Sequence, residues 1–71
     1  MSNERKFSKE FYDVEHDGDI QQALEPIYAV GGNVTHREFN YDAETLEIAY
    51  TIPEDKIEAF KKARKDNFYW S

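Results

Sequence analysis

The sequence predicts an α+β domain of order strand–helix–strand–strand–helix, built around an antiparallel hairpin. Three observations carry this. Leu46, Ile48, Tyr50 and Ile52 alternate strictly with Glu47, Ala49 and Thr51, as in a strand with one buried face. Ile20, Ala23, Leu24, Ile27 and Tyr28 recur at helical spacing. Between these two segments lies Gly31-Gly32, a helix-stop signal. A chain of 71 residues makes one domain, residues 1–71. That size is near the lower limit for a self-sufficient core, and small folds often draw on a metal, disulfides or a second subunit.

The first strand is expected over Phe7–Glu15, with Phe7, Lys9, Phe11 and Asp13 on one face and Ser8, Glu10, Tyr12 and Val14 on the other. Asp17-Gly18-Asp19 reads as a turn and helix start, with Asp17 or Asp19 capping the free N–H groups. Pro26 interrupts the helical pattern because it cannot donate to the Gln22 carbonyl and its ring crowds that turn; a kink or a restart at Pro26 is expected. After the glycines, Val34–Tyr41 reads as a strand with Val34, His36, Glu38 and Asn40 opposite Thr35, Arg37, Phe39 and Tyr41. Asp42 to Thr45 forms a turn, and Leu46 to Ile52 returns as the hairpin partner. Pro53 suits a first helical position, followed by Glu54 and Asp55 at the positive end of the dipole. In this last helix Ile57, Phe60 and Arg64 share a stripe, Glu58 and Lys62 form an i,i+4 pair, and Lys61, Lys62, Arg64 and Lys65 sit at the negative end. Phe68-Tyr69-Trp70 closes the chain.

Charge is sorted by position. Between Glu10 and Asp55 there are twelve acidic side chains and one base, Arg37, whereas both flanks are net basic and the whole chain carries −6. A concentrated negative body repels nucleic acid and anionic membrane and attracts basic surfaces. No stretch approaches the roughly 20 apolar residues of a membrane span, and no export signal is visible, so a cytoplasmic protein is expected. The absence of cysteine excludes disulfides and thiolate–zinc sites. Aromatic residues make up 15% of the chain, which opposes disorder and leaves more rings than so small a core can absorb; a homodimer would meet both needs.

Catalytic and metal chemistry find little support in the sequence. Asp13, Glu15, Asp17, Gly18 and Ile20 match the first half of a calcium-binding EF-hand loop, but the twelfth position is Leu24 where the bidentate Glu belongs. His16 and His36 are too far apart in sequence for a compact ligand motif. None of Ser2, Ser8 and Ser71 sits on a glycine-flanked nucleophile elbow, and no carboxylate pair stands out as acid and base. No enzyme, metal or cofactor is therefore expected.

The acids are more specific because they recur on several elements with almost no interspersed lysine or arginine. Same-face carboxylates along a strand repeat at roughly 6.6 Å, a regular row of negative charge such as a phosphate backbone presents. Glu10, Asp13, Glu15, Asp17, Asp19, Glu38, Asp42, Glu44 and Glu47 are the candidate partner-binding residues. Tyr12, Tyr41 and Tyr69 are the candidate aromatic anchors, since rim charges alone add little affinity. Small size, strong acidity, no cysteine and many aromatics resemble the DNA-mimic and host-takeover proteins of bacteriophages, among them inhibitors of the histone-like HU protein and of RNA polymerase. The resemblance lies in general make-up and has no motif. It implies a non-enzymatic inhibitor whose acidic face blocks the groove of a basic nucleic-acid-binding protein, HU-like or part of the transcription machinery, in the cytoplasm of a bacterial host. Two alternatives stand beside it. One is an adaptor or RNA polymerase regulator that binds through the aromatic C-terminus. The other is direct nucleic-acid binding through Lys61, Lys62, Arg64 and Lys65 with rings that stack on bases.

Overall fold

A computed structural model describes residues 3–70; Ser2 and Ser71 lie outside the described residues. The chain forms β1 (Glu4–Phe11), α1 (Asp17–Ala29), β2 (Asn33–Asn40), β3 (Thr45–Pro53), a 3₁₀ turn at Glu54–Lys56, and α2 (Ile57–Lys65). The α+β order expected from the sequence is the order observed. The three strands make one antiparallel sheet of order β1-β3-β2, so the hairpin's second strand lies in the middle.

Leu46, Ile48, Tyr50 and Ile52 of β3 are all buried, as their alternation requires. They meet Ile20, Ala23, Leu24 and Ile27 of α1 and Phe60 of α2 in a single cluster. The sheet thus has a helix-covered inner face. Its outer face carries Lys6, Ser8 and Glu10 from β1, Thr45, Glu47 and Ala49 from β3, and His36, Glu38 and Asn40 from β2, by the pairing register.

β1 starts and stops earlier than its local pattern suggested. Its pairing with β3 extends from Phe11↔Leu46 to Glu4↔Pro53. At the other end Asp13 adopts a left-handed backbone, φ 61°, which ends the strand. The turn carries Val14 into the core instead of onto the outer face, and its N–H donates to the Glu44 carbonyl at 2.9 Å. β2 departs in a different way. A bulge between Val34 and His36 places Val34 opposite Tyr50 but His36 opposite Ala49. Val34, Arg37 and Phe39 therefore share the inner side, which strict alternation had divided.

His16, rather than Asp17 or Asp19, occupies the N-cap of α1, and no side chain caps that position. Asp19 sits one turn in and reaches back, its Oδ2 accepting the Glu15 N–H at 3.0 Å. The helix ends in a Schellman arrangement: the Gly32 N–H donates to Ile27 O at 2.9 Å and the Gly31 N–H to Tyr28 O at 3.1 Å. Gly31 has φ 77°. A Cβ on Gly32 would lie 2.7 Å from the Thr51 carbonyl oxygen, so this position admits nothing larger.

Pro26 neither breaks α1 nor restarts it; the helix is continuous and Pro26 is buried. The Gln22 carbonyl that proline leaves unserved accepts the Asn67 side-chain amide at 2.8 Å. One residue on, the Ala23 carbonyl accepts the Trp70 indole N–H at 2.7 Å. The indole packs edge-on against Phe11, Tyr50 and Phe60, with ring centroids 5.0–5.7 Å apart. Lys9 and Arg64 lie over the same rings.

Pro53 closes β3 and does not open the last helix, because the β1–β3 ladder runs on to a Glu54 N–H bond with Asn3 O at 2.8 Å. In α2, Glu58 pairs with Lys61 at 3.7 Å and not with Lys62.

Two stability predictions follow from these contacts. In urea unfolding, Gly31→Ala should cost about 1–2 kcal/mol for the left-handed backbone, and Gly32→Ala about 3 kcal/mol for overpacking against immobile backbone. Asn67→Ala should cost about 0.5–1.5 kcal/mol in the native sequence and less in a Pro26→Ala background, where residue 26 regains an N–H for Gln22.

Candidate acidic interface

The nine candidate carboxylates sit at one end of the molecule: the C-terminal end of β1, the first turn of α1, and the β2–β3 hairpin. Register brings three of them abreast. Glu10 is opposite Glu47 and Glu47 is opposite Glu38, one from each strand. Neighbouring strands are about 4.8 Å apart, so this cross-strand row is tighter than the along-strand pitch. Like charges directly opposite are destabilising in a sheet. An open hollow of about 490 Å³ is bordered by this row together with Asp42 and Tyr41.

A second group surrounds the β1–α1 turn, tied to the hairpin by the Val14–Glu44 backbone bond. Here the carboxyl groups of Glu15 and Glu44 are neighbours. The Glu15 carboxyl, through hydrogen bonding and charge, raises the Glu44 pKa above its ordinary value, with desolvation and the charge of Asp13 adding to it. Asp19 moves the other way. Its pKa is lowered first by the Glu15 backbone N–H, then by the Tyr69 hydroxyl, and in smaller part by His16, 3.7 Å away. Asp17 borders a further hollow with Arg37, Phe39 and Tyr41, so Tyr41 stands between the two groups.

No ion pair among the described residues joins any of the nine to lysine or arginine. Arg5 pairs with Glu54 at 3.0 Å and Lys61 with Glu58, both outside the set. Among the described residues, two histidines approach the set, His16 at Asp19 and His36 at Glu47.

The three tyrosines divide. Tyr41 is 75% exposed and Tyr12 63% exposed. The Tyr12 hydroxyl donates to Glu10 Oε1 at 2.6 Å, and that bond raises its pKa. Tyr69 is half-buried against the core, and burial followed by its bond to Asp19 pushes it up to about 12. Its hydroxyl is therefore committed within the chain.

Two further residues stand at this end. His36 was read as isolated, yet its ligand atom lies within 4.8 Å of those of Glu38 and Glu47, an exposed trio of donors of the kind that binds divalent metals. Arg37, the one base between Glu10 and Asp55, borders the hollow with Asp17. The i,i+2 spacing of His36 and Glu38 was the only local hint. The residues of the EF-hand likeness lie in the β1–α1 turn and the start of α1, with a left-handed Asp13 and an Asp19 carboxylate that accepts the Glu15 N–H.

The fold and this end define a small α+β domain with an open-faced sheet and an acidic pole. No protein family matches the chain by sequence, and no curated protein or solved structure matches it. No helix among the described residues is long and apolar enough to cross a membrane.

The Glu15–Glu44 contact predicts a pH dependence. A carboxyl that holds its proton more tightly in the folded state favours folding below the ordinary carboxylate range and loses that contribution as pH rises through its raised pKa. Glu44→Gln should therefore raise Tm at neutral pH, and the gain should fade as acid protonates the native pair. Thermal melts of both proteins across that range measure it.

Proposed function

We propose that this protein is a non-enzymatic binding protein whose acidic end takes the place of DNA phosphates in the groove of a basic nucleic-acid-binding protein. The row Glu10–Glu47–Glu38, without a lysine or arginine partner in its own chain, carries the reading. Holding like charges side by side across three strands costs stability. A partner's lysines and arginines would reverse that cost on binding, and the field of the whole end would steer their approach. Tyr12 and Tyr41 flank the row and supply exposed rings for the desolvated centre of an interface. A nucleoid-associated protein of the HU type fits this chemistry, and the general likeness to phage DNA mimics favours it.

The C-terminal alternatives have less to work with. Trp70 and Tyr69 pack on the core, and Arg64 lies over Phe60 and Trp70. Truncation after Asn67 would remove part of the core, so it is not a clean test of a C-terminal binding site.

Competition gel shifts with an HU-type protein on random-sequence DNA provide the test. The wild-type chain should displace the DNA, less effectively as salt rises. Glu10→Gln, Glu38→Gln and Glu47→Gln combined should weaken displacement about tenfold or more, equivalent to about 1.4 kcal/mol or more. Lys61→Ala with Lys62→Ala should leave it unchanged. If the triple variant competes as well as wild type, or the chain itself shifts DNA through Lys61 and Lys62, the proposal fails.

A further inference from the structure

The β1 edge is unusually open. β1 pairs only with β3 and runs eight residues without a bulge or proline. Edge strands are ordinarily blunted by such features or by cover. The opposite edge, β2, is blunted, since the bulge at Val34/His36 breaks its line. What β1 carries instead is charge, and lysines on an edge resist pairing wherever like charges would meet.

On its outer face, Lys6 and Glu10 stand two positions either side of Ser8. Neither has an opposite charge among the described residues: Lys6 joins no ion pair there, and Glu10 holds the Tyr12 hydroxyl. We propose that a second copy of this chain adds its β1 antiparallel to this one, about a two-fold axis through Ser8. Lys6 then opposes Glu10 of the second copy, twice by symmetry. On the inner face Phe7 opposes Lys9 of the second copy, and Arg5 opposes its Phe11.

Charge selects this register from its neighbours. An axis through Phe7 sets Glu4 against Glu10 and Arg5 against Lys9. Axes through Lys6, Lys9 or Glu10 each set a charge against itself. A shift of one residue turns the inner face of one copy against the outer face of the other. Only the axis through Ser8 opposes unlike charges with no like pair. The product is a continuous six-stranded sheet with the helices of both copies on one side. Such pairing also answers the small core of a 71-residue chain, whose Phe7 is only partly buried. The seam shares Glu10 with the acidic row but leaves Glu38, Asp42 and Glu47 uncovered, and its mass readout needs no nucleic-acid-binding partner.

Sedimentation equilibrium over a concentration series, with circular dichroism to confirm folding, tests the register. Wild type should sediment at twice the 8.4 kDa chain mass. Lys6→Glu should shift it to the single-chain mass, and Lys6→Glu with Glu10→Lys should restore the dimer. Because the chain has no cysteine, Ser8→Cys gives a second readout. Directly opposed Cα atoms lie about 4.5–5.5 Å apart, within disulfide range. Ser8→Cys should oxidise to a linked dimer faster than Lys62→Cys on α2. A wild-type chain that stays at single mass overturns the proposal, and so does a dimer that survives Lys6→Glu and gains no link through Ser8→Cys.

Discussion

Trp70 closes this domain. A three-stranded sheet covered on one face leaves an open end where β1, β3 and the two helices converge, and the indole fills it among Phe11, Tyr50 and Phe60. Its N–H reaches α1 at Ala23, next to the carbonyl that Asn67 serves in place of Pro26. A helix weakened by an internal proline is thus completed by a turn more than forty residues later. Without the Asn67–Trp70 turn, α1 keeps an unserved carbonyl and the aromatic cluster loses its lid.

The same one-sided architecture accounts for the acidic pole. With both helices on the inner face, the outer face is free to carry charge, and β3 brings together two strands that never pair with each other. Glu47 becomes the middle of a row whose outer members lie 28 residues apart, Glu10 and Glu38. Four of the nine basic side chains are engaged elsewhere. Lys9 and Arg64 lie over rings, while Arg5 and Lys61 pair with Glu54 and Glu58. Negative charge therefore gathers at this end, and the neighbouring Glu15 carboxylate raises the Glu44 pKa.

The proposed interface and the proposed seam meet at Glu10. The pole rests on cross-strand neighbours within one copy. The seam at β1 rests on charges that find partners only in a second copy. Glu10 stands at their junction, at the end of the acidic row and at the edge of the sheet.

What could be read from sequence alone was local. The alternation of β3 and the Gly31-Gly32 stop are short-range patterns in which side-chain period and backbone geometry act over a few residues, and both appear in the fold as read. The excess of acid was equally legible, since charge needs no structure to be counted. Tertiary structure decided the rest. The β2 bulge, the early start of β1 and the delayed start of α2 answer to pairing with β3, which no local window contains. The survival of α1 through Pro26 answers to Asn67. The row Glu10–Glu47–Glu38 and the nearness of His36 to it exist only because register places distant residues side by side, and register is set by the burial of one sheet face rather than by the residues it aligns on the other.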